Sequence, residues 1–464
     1  MLSNKKQISI LTIVAVSSFM GTFLISSVNI ALPSIEKSLG LGAVSLSWVV
    51  TSFLLATAMF LLPAGRWGDL TGVKRLFKGG IIIFTVASFL CSFASTGLHL
   101  ILARYLQGIG AALTGTTGPA ILVSAFSPQH RGRVLGISVS AVYSGLAFGP
   151  FAGGIITQYL GWRAIFIISS MLGFVIIIIT LLFLGNDLPY AGKKLTAKKL
   201  DLKGTAFYMP GLVMLVYGSS RIPALNGWLL MTGGITALII FWFMESNSHM
   251  PVINTKLFTH NRLFAFSNLA ALINYSATFA IVFLLSLYLQ KVKGLTPRDA
   301  GVVLIAQPLI MATFSPFTGR LSDRIQPRYL TTTGMILCTT GLAAFAFLNS
   351  STPLSLIVIL LIWVGFGFAL FSSPNMNTIM STVNKTQYGI ASGTAGTMRV
   401  IGQITSMTIA TLFFAGIMGS SPIDTVPDHL FLKAVRLGFS SFTLISATGI
   451  YFSYYRGKVI REVN

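Results

Sequence analysis

The sequence predicts an all-α integral membrane protein, and three observations support this fold class. Hydrophobic residues make up 54% of the 464 positions and charged residues only 9%, too few to cover the surface of a soluble protein. The apolar runs do not alternate as the strands of a membrane barrel would. Each run is close to the roughly 20 apolar residues with which a helix crosses a bilayer.

Helix-sized windows divide these runs into fourteen predicted spans. The spans lie near residues 8–33, 46–64, 79–97, 98–121, 134–158, 162–184, 205–221, 227–244, 264–289, 299–318, 329–348, 353–373, 393–416 and 437–455.

The basic residues predict the orientation of the spans. With the amino terminus in the cytoplasm, most of the 32 Lys and Arg residues fall on the cytoplasmic side, including the group between Lys193 and Lys203. Both termini are therefore expected in the cytoplasm of a multi-pass protein of the cell membrane, expected to be a bacterial cytoplasmic membrane. The net charge of +22 then reflects topology and contact with lipid headgroups, and no nucleic acid partner is expected.

Two similar loops suggest a duplicated architecture. GRWGDLTGVKRL begins at Gly65 and GRLSDRIQPRYL begins at Gly319, both on the predicted cytoplasmic side. The predicted domains are an N-terminal six-helix bundle (residues 1–184), a basic linker with an inserted helix pair and a connector (185–263), and a C-terminal six-helix bundle with a short tail (264–464).

Four motifs carry a family resemblance. They are the loop motif, with its second and weaker copy at Gly319, VNIALP in span 1, ILARYLQGIGAA (Ile101–Ala112) in span 4 and GLAFGPFAGG (Gly145–Gly154) in span 5. Together they resemble the major facilitator superfamily, and the layout of six, two and six spans is similar to its fourteen-span drug:proton antiporter family. The resemblance implies a major facilitator fold of two six-helix bundles plus two inserted helices, and a secondary exporter of amphiphilic drugs that works by alternating access and couples to protons.

The span 5 motif has a physical basis as well as a family likeness. Gly145, Gly149 and Gly153 recur every four residues, so they share a helix face to which a neighbouring backbone can come close. Pro150 removes a helical hydrogen bond and favours a kink. Ordinary packing of small residues is the alternative interpretation, whereas the resemblance associates this motif, including Gly154, with export.

The loop motifs predict a latch between helix ends. Asp69 lies among several basic residues, and an acid near arginines at a helix end can hold helices together in one state and release them in another. A solvated turn is the alternative interpretation. The predicted latch residues are Gly65, Asp69, Gly72, Arg75, Arg131, Asp323 and Arg324.

The span 1 motif lacks one residue of the family pattern. The family carries an aspartate five residues before its Asn; here the Asn is Asn29 and that place holds Leu24. None of the ten acids is predicted in the middle of a span. Buried acids commonly exchange protons for cations in such exporters, so both proton coupling and a preference for cations stay open from the sequence.

Arg104 is the predicted cation inside span 4. It could extend toward the outer surface and bond to backbone carbonyls, or it could line the cavity and meet an anionic or polar substrate. Arg399, predicted at the cytoplasmic start of span 13, has a structural and a gating interpretation.

The resemblance also selects polar residues on the spans that surround the cavity. The candidates are Asn29, Arg104, Gln107, Tyr143, Asn274, Gln307 and Trp363, and interhelical packing is the alternative for each. The expected partners are a small-molecule substrate, protons and membrane lipids, the expected state is a monomer, and no metal or cofactor is expected.

Other classes of function have less support. The sequence has no HExxH or GxSxG motif and no GxxxxGK[ST] loop, so neither a lipid-cleaving enzyme nor an ATP-driven pump is expected. A sensor that binds without moving its ligand is one alternative. Within transport, the alternative is an uncoupled or differently coupled carrier, or a flippase, for an anionic solute or envelope lipid held by Arg104.

Overall fold

The computed structural model describes residues 4–185, 202–246, 255–322, 324–383, 388–419 and 421–458. Within these ranges the chain forms α-helices and one short 3₁₀ helix, and no strand. The first six helices are α1 (Asn4–Leu39), α2 (Ala43–Thr71), α3 (Val73–Ser92), α4 (Gly97–Ala125), α5 (Pro128–Leu160) and α6 (Trp162–Phe183). The next are α7 (Leu202–Ser219), α8 (Leu225–Ser246) and the short α9 (Thr255–His260). The remainder are α10 (Arg262–Thr278), α11 (Ala280–Lys291), α12 (Pro297–Leu304), α13 (Ala306–Ser322), α14 (Pro327–Phe345), α15 (Leu354–Ser381), α16 (Tyr388–Met418), the 3₁₀ helix η1 (Ile423–Thr425) and α17 (Asp428–Tyr455).

Two predicted spans are interrupted by a single residue. Phe279 separates α10 from α11 and Ile305 separates α12 from α13, yet both keep helical dihedral angles and donate to a carbonyl four residues back. Each pair of helices therefore continues as one rod, as the hydropathy of a single span predicts.

The predicted fold class is confirmed, while the count of fourteen spans stays a prediction. Eleven described helical segments are long and apolar enough to cross a membrane. Helices α5, α7 and α14 occupy predicted spans 5, 7 and 11 but are not among them. Small and polar residues lower their hydropathy because these helices pack against other helices as well as facing lipid.

The helices pack as two bundles and a hairpin. In the first bundle, α1 packs along α5 and α6, while α4 lies between α2 and α3. In the second bundle, α15 packs between α13 and α14, and α10 packs on α16 and α17. The hairpin of α7 and α8 lies against α2, where the Tyr208 hydroxyl donates to the Ala58 carbonyl over 2.9 Å. The predicted domain boundaries at residues 184 and 263 are compatible with this packing and stay predictions.

The positions of helix ends define two sides of the molecule. We call the side where α1 begins and α17 ends the terminal side, and the side where α1 meets α2 the distal side. Consecutive spans alternate in direction, so both of the similar Gly-Arg loops lie on the terminal side.

Candidate functional site

Helix α5 packs against α1 through the three glycines of its motif. A Cβ added to Gly149 would lie 2.5 Å from the Cβ of Ser26, and one added to Gly153 would lie 2.7 Å from the Cα of Ser27. Gly145 is equally close to Thr22. The glycine repeat therefore serves close packing within the first bundle.

Hydroxyl groups of α1 bond to the backbone of α5 along this contact. The Ser26 hydroxyl donates to the Leu146 carbonyl over 3.1 Å, and the Ser27 hydroxyl donates to the Gly149 carbonyl over 3.0 Å. Leu146 is four residues before Pro150, so its carbonyl is the one that the proline leaves without a helical donor. Ser26 supplies the missing donor, which lets α5 keep its proline inside the membrane.

The last glycine of the motif faces the other bundle. A Cβ added to Gly154 would lie 2.5 Å from the Pro297 carbonyl oxygen at the start of α12, and Gly301 of α12 comes equally close to the Pro150 carbonyl. These contacts lie near the distal ends of α5 and α12. One motif thus builds the first bundle with three glycines and joins the two bundles with Pro150 and Gly154.

Further hydrogen bonds join the bundles on the distal side. The Ser286 hydroxyl donates to the Asn29 carbonyl over 2.7 Å, and the Gln290 amide donates to the Ile30 carbonyl over 3.0 Å. On the other flank, the Thr411 hydroxyl of α16 donates to Ser47 of α2 over 2.9 Å. The distal side is therefore closed by contacts of α1, α2 and α5 with the second bundle.

Glu36 closes the distal side at its outermost point. Its side chain is 3% exposed, and one carboxylate oxygen accepts the backbone N–H groups of Ile423 and Asp424 in η1, the latter over 3.3 Å. Lys37 lies 3.6 Å from the Asp424 carboxylate. A cleft of about 140 Å³ beside Glu36 is also lined by Gln290 and Lys291.

Toward the terminal side, one glycine of α4 and one glycine of α16 have no neighbouring residue packed against them. Gly115 lies eleven residues after Arg104, three helical turns on, so the two share a face of α4. Arg104 is fully buried, whereas Gly115 is exposed and an added Cβ would have no neighbour within 4 Å. On α16, Gly393 is likewise open and shares a face with Thr411, five turns away. Neither glycine therefore has a neighbouring helix packed against it on the terminal side.

Arg104 and Gln107 form a buried pair within the first bundle. The Arg104 guanidinium donates to the Val49 carbonyl over 3.1 Å and to the Gln107 side-chain oxygen, and lies 4.4 Å from the ring centre of Phe53. The Gln107 amide donates to Ser88 over 2.6 Å. Arg104 thus bonds to a backbone carbonyl, which is part of one predicted alternative, but it is fully buried and does not extend to the surface. A role in contact with substrate stays a prediction.

The remaining cavity candidates occupy several different places. The Tyr143 hydroxyl lies 2.8 Å from that of Ser372, which joins α5 to α15 across the two bundles. The side chains of Asn29 and Gln307 are buried at 2% and 6% exposure. Two candidates pack against α14 on the far side of the second bundle: Asn274 donates to Met335 over 3.1 Å, and the Trp363 indole donates to Thr340 over 3.0 Å. The structure does not gather these candidates into one cluster, and their cavity roles stay predictions.

The latch residues are described only in part. Gly72 has a φ of 98°, which glycine adopts without strain, and it forms the tight turn between α2 and α3. Gly65 packs on Thr116, with an added Cβ 3.5 Å away, and Arg75 and Arg324 are exposed on the terminal side. Asp323 and the side chains of Asp69 and Arg131 lie outside the described residues, so the latch stays a prediction.

Arg399 lies six residues after the start of the candidate span Gly393–Met418. Helix α16 begins at Tyr388, so Arg399 lies eleven residues inside it and not at its start. Tyr275 of α10 lies beside α16, where a Cβ added to Gly402 would be 2.8 Å from its Cβ, and its ring packs on Phe368 of α15. The sequence feature that points to Arg399 is the polar helix face at the cytoplasmic end of predicted span 13.

The acids of the described part of the chain lie at helix ends. Glu36, Asp69 and Glu245 are within three residues of the ends of α1, α2 and α8, and Asp299, Asp424 and Asp428 lie in the distal turns. Leu24, at the place of the family aspartate, is fully buried in the hydrophobic core.

Two bundles of membrane-spanning helices that meet through close contacts near one end are typical of a membrane transporter. The sequence matches the Major Facilitator Superfamily over residues 11–407, so the chain belongs to that family. It is accordingly a transporter and not an enzyme.

Individual relatives agree with this assignment. The chain is 33% identical to the riboflavin transporter RibZ of Clostridioides difficile, over 90% of this chain and 89% of that protein. It is 28% identical to the multidrug resistance protein Stp of Mycobacterium tuberculosis, over 87% of this chain and 74% of that protein. The fold is similar to a bacterial homologue of the human lysosomal transporter Spinster in an inward-facing, unoccupied conformation, with a TM-score of 0.69, 14% identity and 98% coverage of both chains.

Proposed function

We propose that this transporter exports amphiphilic drugs or related small molecules by alternating access. The distal contacts join the two bundles, and we propose that the space between them opens to the terminal side, as one half of such a cycle requires. The cargo enters the space between the bundles from the terminal side. Separation of the bundles at their distal contacts then releases it.

One observation carries this proposal. The span 5 motif, which the family associates with export, meets the second bundle through Gly154 and Pro150, whose contacts to Pro297 and Gly301 close the distal side. A motif that only packed helices within one bundle would have no direct influence on access. The likeness to a multidrug resistance protein supports a cargo of the drug class.

The orientation and the coupling are also part of the proposal. The basic segments favour a cytoplasmic terminal side in a bacterial cell membrane, so cargo leaves the cell. Protons are the coupling ion that the family implies. The described acids at the distal and terminal ends support a coupling route that involves the ends of the spans. We also propose that the monomer is the working unit and that lipids surround it.

The proposal is tested with purified protein in liposomes that contain a pH dye and no nucleotide. A panel of cationic, neutral and anionic amphiphiles is added, and movement of both amphiphile and protons is followed. Export predicts movement that a pH gradient accelerates, and antiport predicts a proton signal that depends on the cargo. A protein that binds these compounds and moves none of them would contradict the proposal.

A second candidate follows from the relative that carries riboflavin in its name. Identity of 33% over 90% of this chain favours a planar, polar aromatic cargo over a cationic drug. The same liposomes separate the two: riboflavin movement without movement of cationic drugs supports the second candidate. Transport of an anionic solute or an envelope lipid through Arg104 would require that Arg104 leaves its buried bonds in another state.

A further inference from the structure

Arg399 is the most deeply placed charge in the described helices. It lies eleven residues from the nearer end of α16, while every other charged residue of these helices lies within eight residues of a helix end. Eleven residues correspond to about 16 Å of helix. Arg399 is also six residues, about 9 Å, inside the candidate span Gly393–Met418, which places it within the hydrocarbon core.

Arg399 lies beside a contact between the two bundles. Gly396, one turn earlier, has no neighbour within 4 Å of an added Cβ. Gly402, three residues later, packs on α10, where an added Cβ would lie 2.8 Å from the Cβ of Tyr275. Tyr275 in turn packs on Phe368 of α15, one turn before Ser372, whose hydroxyl lies 2.8 Å from that of Tyr143 in the first bundle. Arg399 thus belongs to a group with Tyr143, Tyr275 and Ser372, which we call the Arg399 cluster, built from both bundles.

Arg399 differs from the two arginines that are buried among the residues whose side chains the structure describes. Arg104 and Arg456 are at most 1% exposed and donate to carbonyls, amides and hydroxyls around them. Arg399 is exposed, and within the described part of the chain its guanidinium forms no hydrogen bond and no salt bridge. A cation at this depth without a protein partner is the usual mark of a substrate or ion pathway.

The electrostatics of the cluster select a class of cargo. Low-dielectric walls strengthen the field of an unpaired cation, so Arg399 attracts anions and repels cations. The tyrosine rings offer apolar faces and hydroxyl groups to an aromatic molecule. No acid of the described residues lies near enough to mid-membrane to reverse the sign.

We infer that the Arg399 cluster is the cargo site and that it takes an aromatic amphiphile with a negative charge, bound to the guanidinium of Arg399. The inference rests on the proposed function for the idea that cargo occupies the space between the bundles. An anionic cargo differs from the cationic drugs that exporters with buried acids accept. It is consistent with a chain that has Leu24 in place of the family aspartate and a positive charge at Arg399.

The test compares two matched fluorescent probes. Pyrenesulfonate and a trimethylammonium-substituted pyrene share an aromatic core and differ in the sign of the charge. Fluorescence anisotropy measures their binding to the full-length protein in nanodiscs, and fluorescence quenching measures their movement across liposomes. The variants are Arg399→Gln, Arg399→Lys and, as a matched control away from the cavity, Arg221→Gln in the exposed turn of the α7–α8 hairpin.

The expected result is that the parent protein prefers the sulfonate. Arg399→Gln weakens sulfonate binding about tenfold or more, the range for a hydrogen bond to a charged group, and leaves ammonium binding unchanged or stronger. Arg399→Lys keeps the preference, and Arg221→Gln changes neither probe. Unfolding temperatures stay close to that of the parent, because Arg399 is exposed.

Three other outcomes are distinct. If the parent binds the sulfonate through Arg399 but moves neither probe, the site stands and the export proposal fails. If the parent moves probes with a preference that Arg399→Gln does not alter, export stands and the Arg399 site is overturned. If the parent binds the two probes equally well, the inference that the cargo carries a negative charge is overturned.

Discussion

A Cβ added to Gly154 of α5 would lie 2.5 Å from the carbonyl oxygen of Pro297 in the opposite bundle. Real side chains do not approach a backbone this closely, so α5 and α12 meet at a separation that only glycine permits. The contact lies between the bundles, whereas Gly145, Gly149 and Gly153 pack within the first bundle. Distal closure therefore depends on the absence of a side chain at position 154.

Gly154→Val is expected to hold the distal side open and to reduce cargo flux in liposomes about tenfold or more, because a conformational bias of 1.4 kcal/mol already gives that factor. The protein should still fold, since the bundles keep their own cores. Gly79→Ala is the control, because Gly79 is a helical glycine with open space around an added Cβ. Full flux in the Gly154→Val protein would contradict the role of this contact.

Ser26→Ala is expected to lower stability by about 1 kcal/mol, because the Leu146 carbonyl then has no donor. Thermal unfolding in detergent measures the effect. Ser9→Ala on the exposed face of α1 serves as the control, since its hydroxyl bonds only to its own helix. In a Pro150→Ala background the backbone N–H returns, so Ser26→Ala should cost less; an equal cost in both backgrounds would show that Ser26 does not compensate for the proline.

Arg104→Met is expected to destabilise the first bundle by about 1–3 kcal/mol, because the Val49 carbonyl and the Gln107 side chain lose their donor. Gln107→Leu should then add little in the double variant, since both changes break one network. Unfolding temperatures and flux are measured together. A loss of flux without loss of stability would instead place Arg104 in contact with cargo.

Glu36 is expected to make distal closure depend on pH. It lies beyond Pro33, where the first predicted span ends. Burial raises the pKa of its carboxyl to about 7 from an ordinary value of 4.5; the N–H groups of Ile423 and Asp424 and the Lys291 ammonium oppose this, and the Asp424 carboxylate adds to it. Lys37 and Asp428 are the other charges nearby, paired with Asp424 and Lys291.

The sign follows from the two states. When the distal side opens, water reaches Glu36 and its pKa falls toward the ordinary value, so the closed state binds the proton more tightly. Acidification between pH 7 and 4.5 therefore favours closure, on the order of 50-fold between pH 8 and pH 5, and this advantage is lost above pH 7. Glu36→Gln keeps an acceptor for the two N–H groups and cannot titrate, so it should remove the dependence.

Spin labels at Ser95→Cys and Ser350→Cys report the closed fraction, because these exposed residues lie on distal loops of the two bundles. The native Cys91 and Cys338 are buried and stay unlabelled. Asp299→Asn is the control for an exposed distal acid and should keep the pH response. A response that survives in Glu36→Gln would mean that another group titrates.

Hydropathy and motifs predicted the helical membrane fold because the bilayer imposes length and composition on every span. The glycine spacing of α5 likewise predicted a close helix contact. The sequence could not predict which glycine of the motif contacts which bundle, since Gly153 and Gly154 are adjacent yet face different bundles.

The site was harder to predict because a cavity relaxes the demand for apolar residues. The polar, glycine-rich start of α16 lowered its hydropathy, so the predicted span began at residue 393, five residues after the helix does. Trp363 and Asn274 were selected by helix number alone, but the direction of a side chain depends on packing against α14, which span order does not specify.

The distance between labels at Ser95 and Ser350 tests alternating access most directly. In lipid nanodiscs, electron paramagnetic resonance should resolve a population with a short distance between the labels, which is distally closed, and a population with a longer distance. Gly154→Val should remove the short-distance population, and Gly79→Ala should keep it. A single distance that is the same in the parent and in Gly154→Val, with or without cargo, would contradict the account.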